Sequence, residues 1–344
     1  MIFSICRYLV AGTLLFSFVG LHAEDTAAIS ERLHRAESVN SLDDATLKPW
    51  HLKLNVQFFG DDGKPTEQGT LEEWWAGPDK DKRVFISPTY TATEIRIKDS
   101  LYRSSGVGSV PEILDAVRQQ VVHPTPEKSD ETGAKLELRK QAFGKAEMDC
   151  IMLSLPMKSV GFPPLGLFPT YCLDRDKDSL RVNFSLGSPF IIRNGIGLFQ
   201  GHFVSTALTA KSNNVIVMEA QIAKLETFSP SDADFVPTSG MEKIPAAVRV
   251  PSGLVAGRRL SSSPPPQYPV GARERRATGT VVMNALIGTD GHIHKLKLVS
   301  VPDPELAIAA VTAVRKWTYR PYILNGEPVA VETTITVNFA MGPR

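Results

Sequence analysis

Strict alternation of apolar and polar residues recurs along most of this 344-residue chain. A pattern of period two buries its apolar members as half-buried strands, so the chain is committed to antiparallel sheet before any motif is considered. The cleanest run is the last, where Val331, Thr333, Ile335, Val337 and Phe339 face inward and Glu332, Thr334, Thr336 and Asn338 outward. Trp50 to Phe59 alternates through Leu52, Leu54, Val56 and Phe58, and Asp61-Asp62-Gly63-Lys64-Pro65 supplies the next turn. Gly69 to Trp75, Arg83 to Ile86, Thr91 to Ile97 and Ser100 to Arg103 continue the pattern, with a hairpin at Lys98-Asp99. Ahead of the C-terminal unit helical spacing appears twice: Thr26 to Val39 carries Ile29, Leu33 and Ala36, and Val110 to Val122 carries Ile113, Leu114, Val117 and Val121 on one face. A second block of strands covers Ala146 to Leu153, Thr170 to Asp174, Ser179 to Phe184 and Gly201 to Ile222, the last folded at Lys211-Ser212-Asn213-Asn214. The charge run Asp174-Arg175-Asp176-Lys177-Asp178 reads as a solvated turn, since its aspartate spacing is not that of a calcium loop.

At 42% hydrophobic the chain can bury one or more cores, and its length predicts two or three domains. A formal net charge of +1 offers no field for nucleic acid. At the N-terminus Arg7 precedes an apolar run from Tyr8 to Leu21, followed by His22, Ala23, Glu24 and Asp25. This is the layout of a cleavable export signal over residues 1–23; the alternative is an uncleaved inner-membrane anchor, for which the run is shorter than the ~20 residues a spanning helix needs. Removal of the signal takes Cys6 and leaves Cys150 and Cys172 as an even pair in an oxidising compartment. Their bridge would stabilise by about 3 kcal/mol, and their separation fits no metal or redox motif.

A β-rich body is expected over 24–240, then a linker over 241–266 that ends in Ser261-Ser262-Ser263-Pro264-Pro265-Pro266, then a last unit over 267–344. In that unit Tyr268-Pro269 opens a short helix with Arg273, Arg275 and Arg276 in water. Gly279 to Ile287 alternates with Val281, Met283, Ala285 and Ile287 inward, and Asp290-Gly291 makes a hairpin turn. Ile293, Leu296 and Leu298 on the return strand require a bulge near His294-Lys295 to restore the inward face. Asp303 caps a helix that has Pro304 first and Glu305 in its first turn. Leu306, Ala310, Ala313 and Trp317 form its buried stripe, Tyr319-Arg320-Pro321 ends it, and Asn325-Gly326 makes another turn ahead of the final strand.

In order and spacing these residues resemble the TonB C-terminal family: Tyr268-Pro269 with Ala272, Gly279-Thr280-Val281, Asp290-Gly291-His292-Ile293, Leu306 with Ala309-Ala310, Val314 through Pro321, and Asn325-Gly326. The resemblance implies an α+β fold here, a small domain of antiparallel strands with helices on one face. It also implies a periplasmic protein-interaction role in transmembrane transport, in which an extended segment of an outer-membrane receptor or other periplasmic protein is bound by strand addition. Val331 to Phe339, alternating and terminal, is the strand expected to receive it. The chain departs from a classical energy transducer of that family in its cleavable signal, its short spacer and its folded body. The body in turn resembles the half-barrel of LolA-like lipoprotein carriers, in element order alone: a helix, long strands, an inserted helix, more strands. That likeness implies a concave face able to hold a lipid or other apolar ligand, with the TonB-like unit as docking domain. The competing expectation is that Val56, Phe58, Trp74, Trp75, Phe85, Phe184 and Phe203 fill a core.

Nothing in the chain predicts catalysis or a cofactor. His292 and His294 lack the further ligands of a metal site. Ser104-Ser105-Gly106-Val107-Gly108-Ser109 has neither the lysine of a phosphate loop nor a framed nucleophile, and reads as a loop. Glu72 and Glu73, adjacent on a strand, point to opposite faces and form no acid/base pair.

Overall fold

The structure, a computed structural model, describes residues 26–104, 106–126, 128–157, 163–260 and 262–341. The expected export signal, 1–23, lies outside them, as do Ser105 and Ser261. Helix α1 (Thr26–Asn40) leads into β1 (Trp50–Phe59), β2 (Pro65–Gly77), β3 (Lys80–Ile86), β4 (Thr91–Ile97) and β5 (Ser100–Ser104). Helices α2 (Glu112–Val122) and α3 (Lys128–Glu131) follow, then β6 (Lys135–Phe143), β7 (Ala146–Ser154), β8 (Thr170–Asp174), β9 (Leu180–Phe184), β10 (Phe190–Phe199), β11 (His202–Ser212) and β12 (Val215–Thr227). The chain continues through β13 (Met241–Ile244), β14 (Val248–Arg249), α4 (Ser252–Ala256), α5 (Val270–Glu274), β15 (Gly279–Ile287) and β16 (Ile293–Ser300). It ends with α6 (Pro304–Val314), β17 (Tyr322–Leu324), β18 (Glu327–Val329) and β19 (Val331–Phe339).

The fold is α+β. One antiparallel sheet of thirteen strands, ordered β13-β5-β4-β3-β2-β1-β12-β11-β10-β9-β8-β7-β6, forms the body, and a second sheet, β14-β19-β15-β16, forms the C-terminal unit. Strands β6 and β10 were not expected from the sequence: Lys135–Phe143 is polar along its outer half, and Gly195 and Gly197 dilute the pattern of Phe190–Phe199.

Helices α1 and α2 lie on one face of the large sheet. Leu114, Val117, Val121 and Val122 of α2 share a cluster with Leu52, Leu54, Leu71, Phe85, Leu208 and Ala210, while Ile29, Leu33 and Ala36 of α1 pack on Leu136, Ile151, Leu153, Leu173 and Leu180. Trp50 joins the cluster of α2, stacked on Trp75 at 5.5 Å, and its Nε1 donates to Leu42 O at 2.7 Å. That face of the sheet is packed by the protein's own helices. The aromatics expected in one core divide between faces. Phe85 and Trp75 are buried under the helices, whereas Trp74 stacks on His51 across the sheet at 4.7 Å and Phe184 joins Phe143 and Phe190.

Buried charges fix α2 in place. The Arg118 guanidinium donates through Nε to Glu73 Oε2 at 2.8 Å and through a second nitrogen to Oε1, both residues being buried. Burial alone would raise the Glu73 carboxyl pKa, but the positive charges of Arg118 and Arg83 outweigh it and hold that pKa below its ordinary value. Asp81 goes the other way, raised by burial and by the charge of Glu73 despite Arg83. Arg83 Nε lies 2.9 Å from Asp81 Oδ1 at an angle that makes no hydrogen bond. Replacing Arg118→Met should cost about 3–5 kcal/mol, because it strands a buried carboxylate. Adding Glu73→Leu should recover much of that loss in urea unfolding, and a single variant as stable as the parent would show the pair to be energetically idle.

Cys150 and Cys172 sit opposite each other on β7 and β8 and are bonded, with Cα atoms 3.9 Å apart. The charged turn after β8 is more than solvated. Arg32 of α1 donates to Asp178 Oδ1 at 2.8 Å, Asp149 Oδ2 at 2.6 Å and Asp174 O at 3.1 Å, so the turn clamps the first helix.

The expected linker, 241–266, is structured along most of its length. β13 extends the large sheet beside β5, β14 pairs in parallel with β19, and Val250 and Val255 are buried in the C-terminal core. The period-two signal was too short to register in strands of four and two residues. The C-terminal unit also rests on the body, where Val301 and Ala307 pack on Met152, Leu167 and Phe168. A fragment beginning at Pro245 should accordingly be more stable than one beginning at Pro264 by about 3 kcal/mol, from the two buried valines. Equal melting of the two fragments would show that β14 and α4 contribute nothing.

Candidate functional site

The terminal strand β19 is built as its alternation predicts. Val331, Thr333, Ile335, Val337 and Phe339 are buried, Glu332, Thr336 and Asn338 exposed, and Thr334 lies between. It pairs with β15 without a break from Val331↔Ile287 to Phe339↔Gly279. Its other edge is paired by a strand only at the start, and α4 also lies against β19. Val248 donates its amide to Ala330 O and Val250 to Glu332 O, each at 2.9 Å, and Thr333 Oγ1 donates to Val250 O at 3.0 Å. The amide and carbonyl of one strand residue point to the same edge and alternate from residue to residue. Since Ala330 and Glu332 face β14, the amides of Thr334, Thr336 and Asn338 face the same edge, beyond the last residue of β14. The expectation of a wholly open edge from Val331 onward is thus corrected to an edge open from Thr334.

A hollow of about 300 Å³ adjoins that open half, lined by Arg259, Pro266, Tyr268, Trp317 and the chain from Thr336 to Ala340. Trp317 is held from both sides: its Nε1 donates to Pro264 O at 2.7 Å, and the Arg259 guanidinium stacks 4.2 Å from its ring. Tyr268 meets Phe339 edge-on at 5.4 Å and gives its hydroxyl proton to Ala277 O. Pro266 and Arg259 were missed as site residues because the segment holding them looked like spacer.

The other motif residues are structural. Pro269 precedes the first turn of α5, Gly279 starts β15 at φ 142°, and Asp290 Oδ1 accepts the His292 amide at 2.9 Å. Gly291 has φ 80°, and a Cβ there would lie 2.0 Å from Tyr319 O. Pro321 O accepts from Arg258 at 2.9 Å, and Gly326 turns β17 into β18. The bulge near His294 is present, Leu286 facing Lys295 and Ile287 facing Ile293. Asp303 caps α6 through the amides of Glu305 and Leu306. The helix stops at Val314 rather than running to Tyr319: the chain turns at Arg315, and Thr318 and Tyr319 bridge to His292 and Arg259. Trp317 is buried nonetheless.

His292 and His294 do not converge on one site. His294 Nε2 lies 2.8 Å from Glu112 Oε1 on the body and 3.0 Å from Asp290 Oδ1. In the Gly-rich segment, Gly106 presses on the strand beside it, where a Cβ would lie 1.7 Å from Thr91 O. A cluster the sequence did not reveal joins α1 to α3, bringing ligand atoms of His34, Glu37 and Glu131 within 4.8 Å of one another. One carboxylate oxygen of each glutamate is buried and receives no hydrogen from any other described residue, as expected of a pair that shares a proton. Burial, then the hydrogen bond and charge of Glu131, push the Glu37 pKa up to about 7 from its ordinary 4.5. A folded pKa above the unfolded one means stability complete below the unfolded value and lost as pH rises through about 7. Glu37→Gln should therefore flatten the fall in melting temperature between about pH 5 and pH 8. An unchanged profile would place the titration elsewhere.

The geometry is that of a small α+β unit with one sheet edge half paired and half open. Residues 264–341 match the family model for the Gram-negative bacterial TonB protein C-terminal domain. Protein TonB of Vibrio cholerae serotype O1 is 34% identical over 83 residues, which make up 24% of this chain and 34% of that protein. The chain thus spans about a third of that relative's length. Among solved structures, a LolA superfamily protein from Nitrosomonas europaea and a DUF1329 family protein from Desulfovibrio piger each align over 61% of this chain and 97% of their own, at TM-score 0.41 and 8% identity. Likenesses this distant say nothing of ligand or role. Among the described residues no helix is long and apolar enough to cross a membrane.

Proposed function

We propose that this protein is a periplasmic interaction factor, linked to outer-membrane receptor transport, whose C-terminal unit binds an extended segment of a receptor or other envelope protein as an added strand. The observation that carries this is the open half of β19. Thr334, Thr336 and Asn338 turn their amides to an edge that β14 leaves uncovered, and an unpaired edge is a template for another strand. The hollow beside it supports the same reading, since alternate side chains of an added strand would reach Tyr268 and Trp317. Arg259 at that hollow favours a partner segment carrying a carboxylate. The match of residues 264–341 to the TonB family agrees in kind. No catalytic step is invoked. The body, with its helix-side face packed, serves in this reading as a base for the binding unit rather than as a lipid carrier.

Proline scanning separates binding from folding. At Thr336 proline removes an amide that faces the open edge, so binding of receptor N-terminal peptides should weaken at least tenfold while the melting temperature changes little. At Ile335 or Val337, whose amides face β15, the same change should unfold the C-terminal unit. Thr334→Ala should leave binding within about threefold, because the backbone supplies much of the affinity. Full-strength binding by a folded Thr336→Pro variant would remove this edge as the contact.

A further inference from the structure

The face of the large sheet turned away from α1 and α2 carries a second hollow, of about 940 Å³, that the peptide-binding reading does not use. Strand register builds it from two rows of side chains. Thr70, Asn55 and Gln221 stand abreast across β2, β1 and β12, and Gln68, Gln57 and Glu219 form the next row on the same face. Ile86 and Pro88 bound it at one side, and at the other Asn194 Nδ2 donates to Thr209 Oγ1 at 2.8 Å.

The lining is rich in carboxamides, each offering two donors and an acceptor. Gln57 and Gln68 are partly committed: Gln68 Nε2 donates to Gln57 Oε1 at 3.0 Å, and Gln57 Nε2 to Phe58 O at 2.9 Å. Asn55 and Gln221 are exposed, and their carboxamides make no hydrogen bond to other described residues. No lysine or arginine lines the hollow, which disfavours phosphate and carboxylate ligands, and its one charged group, Glu219, is an acceptor. Ile86, exposed on that face, adds apolar surface of the kind that meets the C–H faces of a sugar ring. The volume lies within the range of small-molecule sites.

Spacing narrows the class further. Neighbouring strands lie about 4.8 Å apart, so each row repeats its polar groups at that interval, close to the rise of one pyranose unit in an extended β-1,4-linked chain. An α-linked glucan coils and loses this match. We infer that the hollow binds a neutral, extended, β-linked oligosaccharide lying across the strands, one sugar per strand.

The test is titration calorimetry of the full exported chain with cellotetraose, chitotetraose and maltotetraose. Saturable binding of at least one β-linked tetraose is expected, with maltotetraose at least tenfold weaker. Asn55→Ala and Gln221→Ala, both at exposed positions, should each weaken the β-linked sugar by about tenfold, the loss of one or two hydrogen bonds, with unchanged melting. No saturable binding of either β-linked sugar would overturn the inference. So would equal binding of maltotetraose, or undiminished binding by a folded Asn55→Ala/Gln221→Ala double variant.

Discussion

Unpaired strand edges are what this architecture has to resolve, because a bare row of amides and carbonyls pairs with any strand it meets. The large sheet ends on one side in β13, only four residues long, and on the other in β6, where Lys135, Arg139 and Lys140 put charge on the rim. In the small sheet β16 carries Lys295 and Lys297, and Lys297 Nζ is engaged by Asp130 of the body. Short strands and charge are ordinary protections of an edge. The second half of β19 has neither, offering Thr334, Thr336 and Asn338 beside an aromatic hollow. The contrast with β13, β6 and β16, within one chain, is the strongest structural reason to look for a partner there.

Elsewhere the interior is organised by charge as well as by apolar contact. Replacing a buried ion pair by apolar residues often stabilises a protein, so Glu73 with Arg118 is a costly way to seat a helix if stability were all that mattered. The pair is directional, however. Arg118 shares α2 with Leu114, Val117 and Val121, whose apolar contacts alone would tolerate the helix sliding along the sheet. The two-point contact with Glu73 fixes one position, and Arg193, donating to Gln120 O at 3.0 Å, holds the same helix from β10. The pair thus serves register more than net free energy.

Long-period signals were legible in the sequence and short ones were not. Nine-residue alternation located β15 and β19 with the correct inward faces, and the odd spacing of Ile293 and Leu296 gave away the bulge. The cysteine pair followed from compartment and count. Strands of two to four residues carry too few periods to be seen, so β13 and β14 were taken for linker, and with them went the half-closed edge. The buried pair left a readable trace. Arg118 stands at i+4 from Leu114 within an apolar stripe, and Glu73 alternates with Leu71 and Trp75, so opposite charges occupied inward positions of two elements that both needed burial. Which elements meet is a tertiary fact. Local pattern could not assign Glu73 to Arg118, nor bring Pro266 and Arg259 beside Thr336.

The connection from β13 to β14 ties these two scales together. Only Pro245, Ala246 and Ala247 separate a strand of the large sheet from a strand of the small one. Four Cα steps reach at most about 14 Å, so β14 is held beside β19 at high local concentration and would re-form its two hydrogen bonds quickly if displaced. In the proposed function an incoming strand would be steered to the half of the edge from Thr334 on, since the first half is occupied by a competitor that never diffuses away. The same tether means that tension on β19 would load β14 and, through three residues, the β13 edge of the body. The C-terminal unit is in this sense not a bead on a flexible string. Its open edge is bounded by one strand and anchored by the next, and the packing of Val301 and Ala307 on Phe168 holds the two sheets together from the other side.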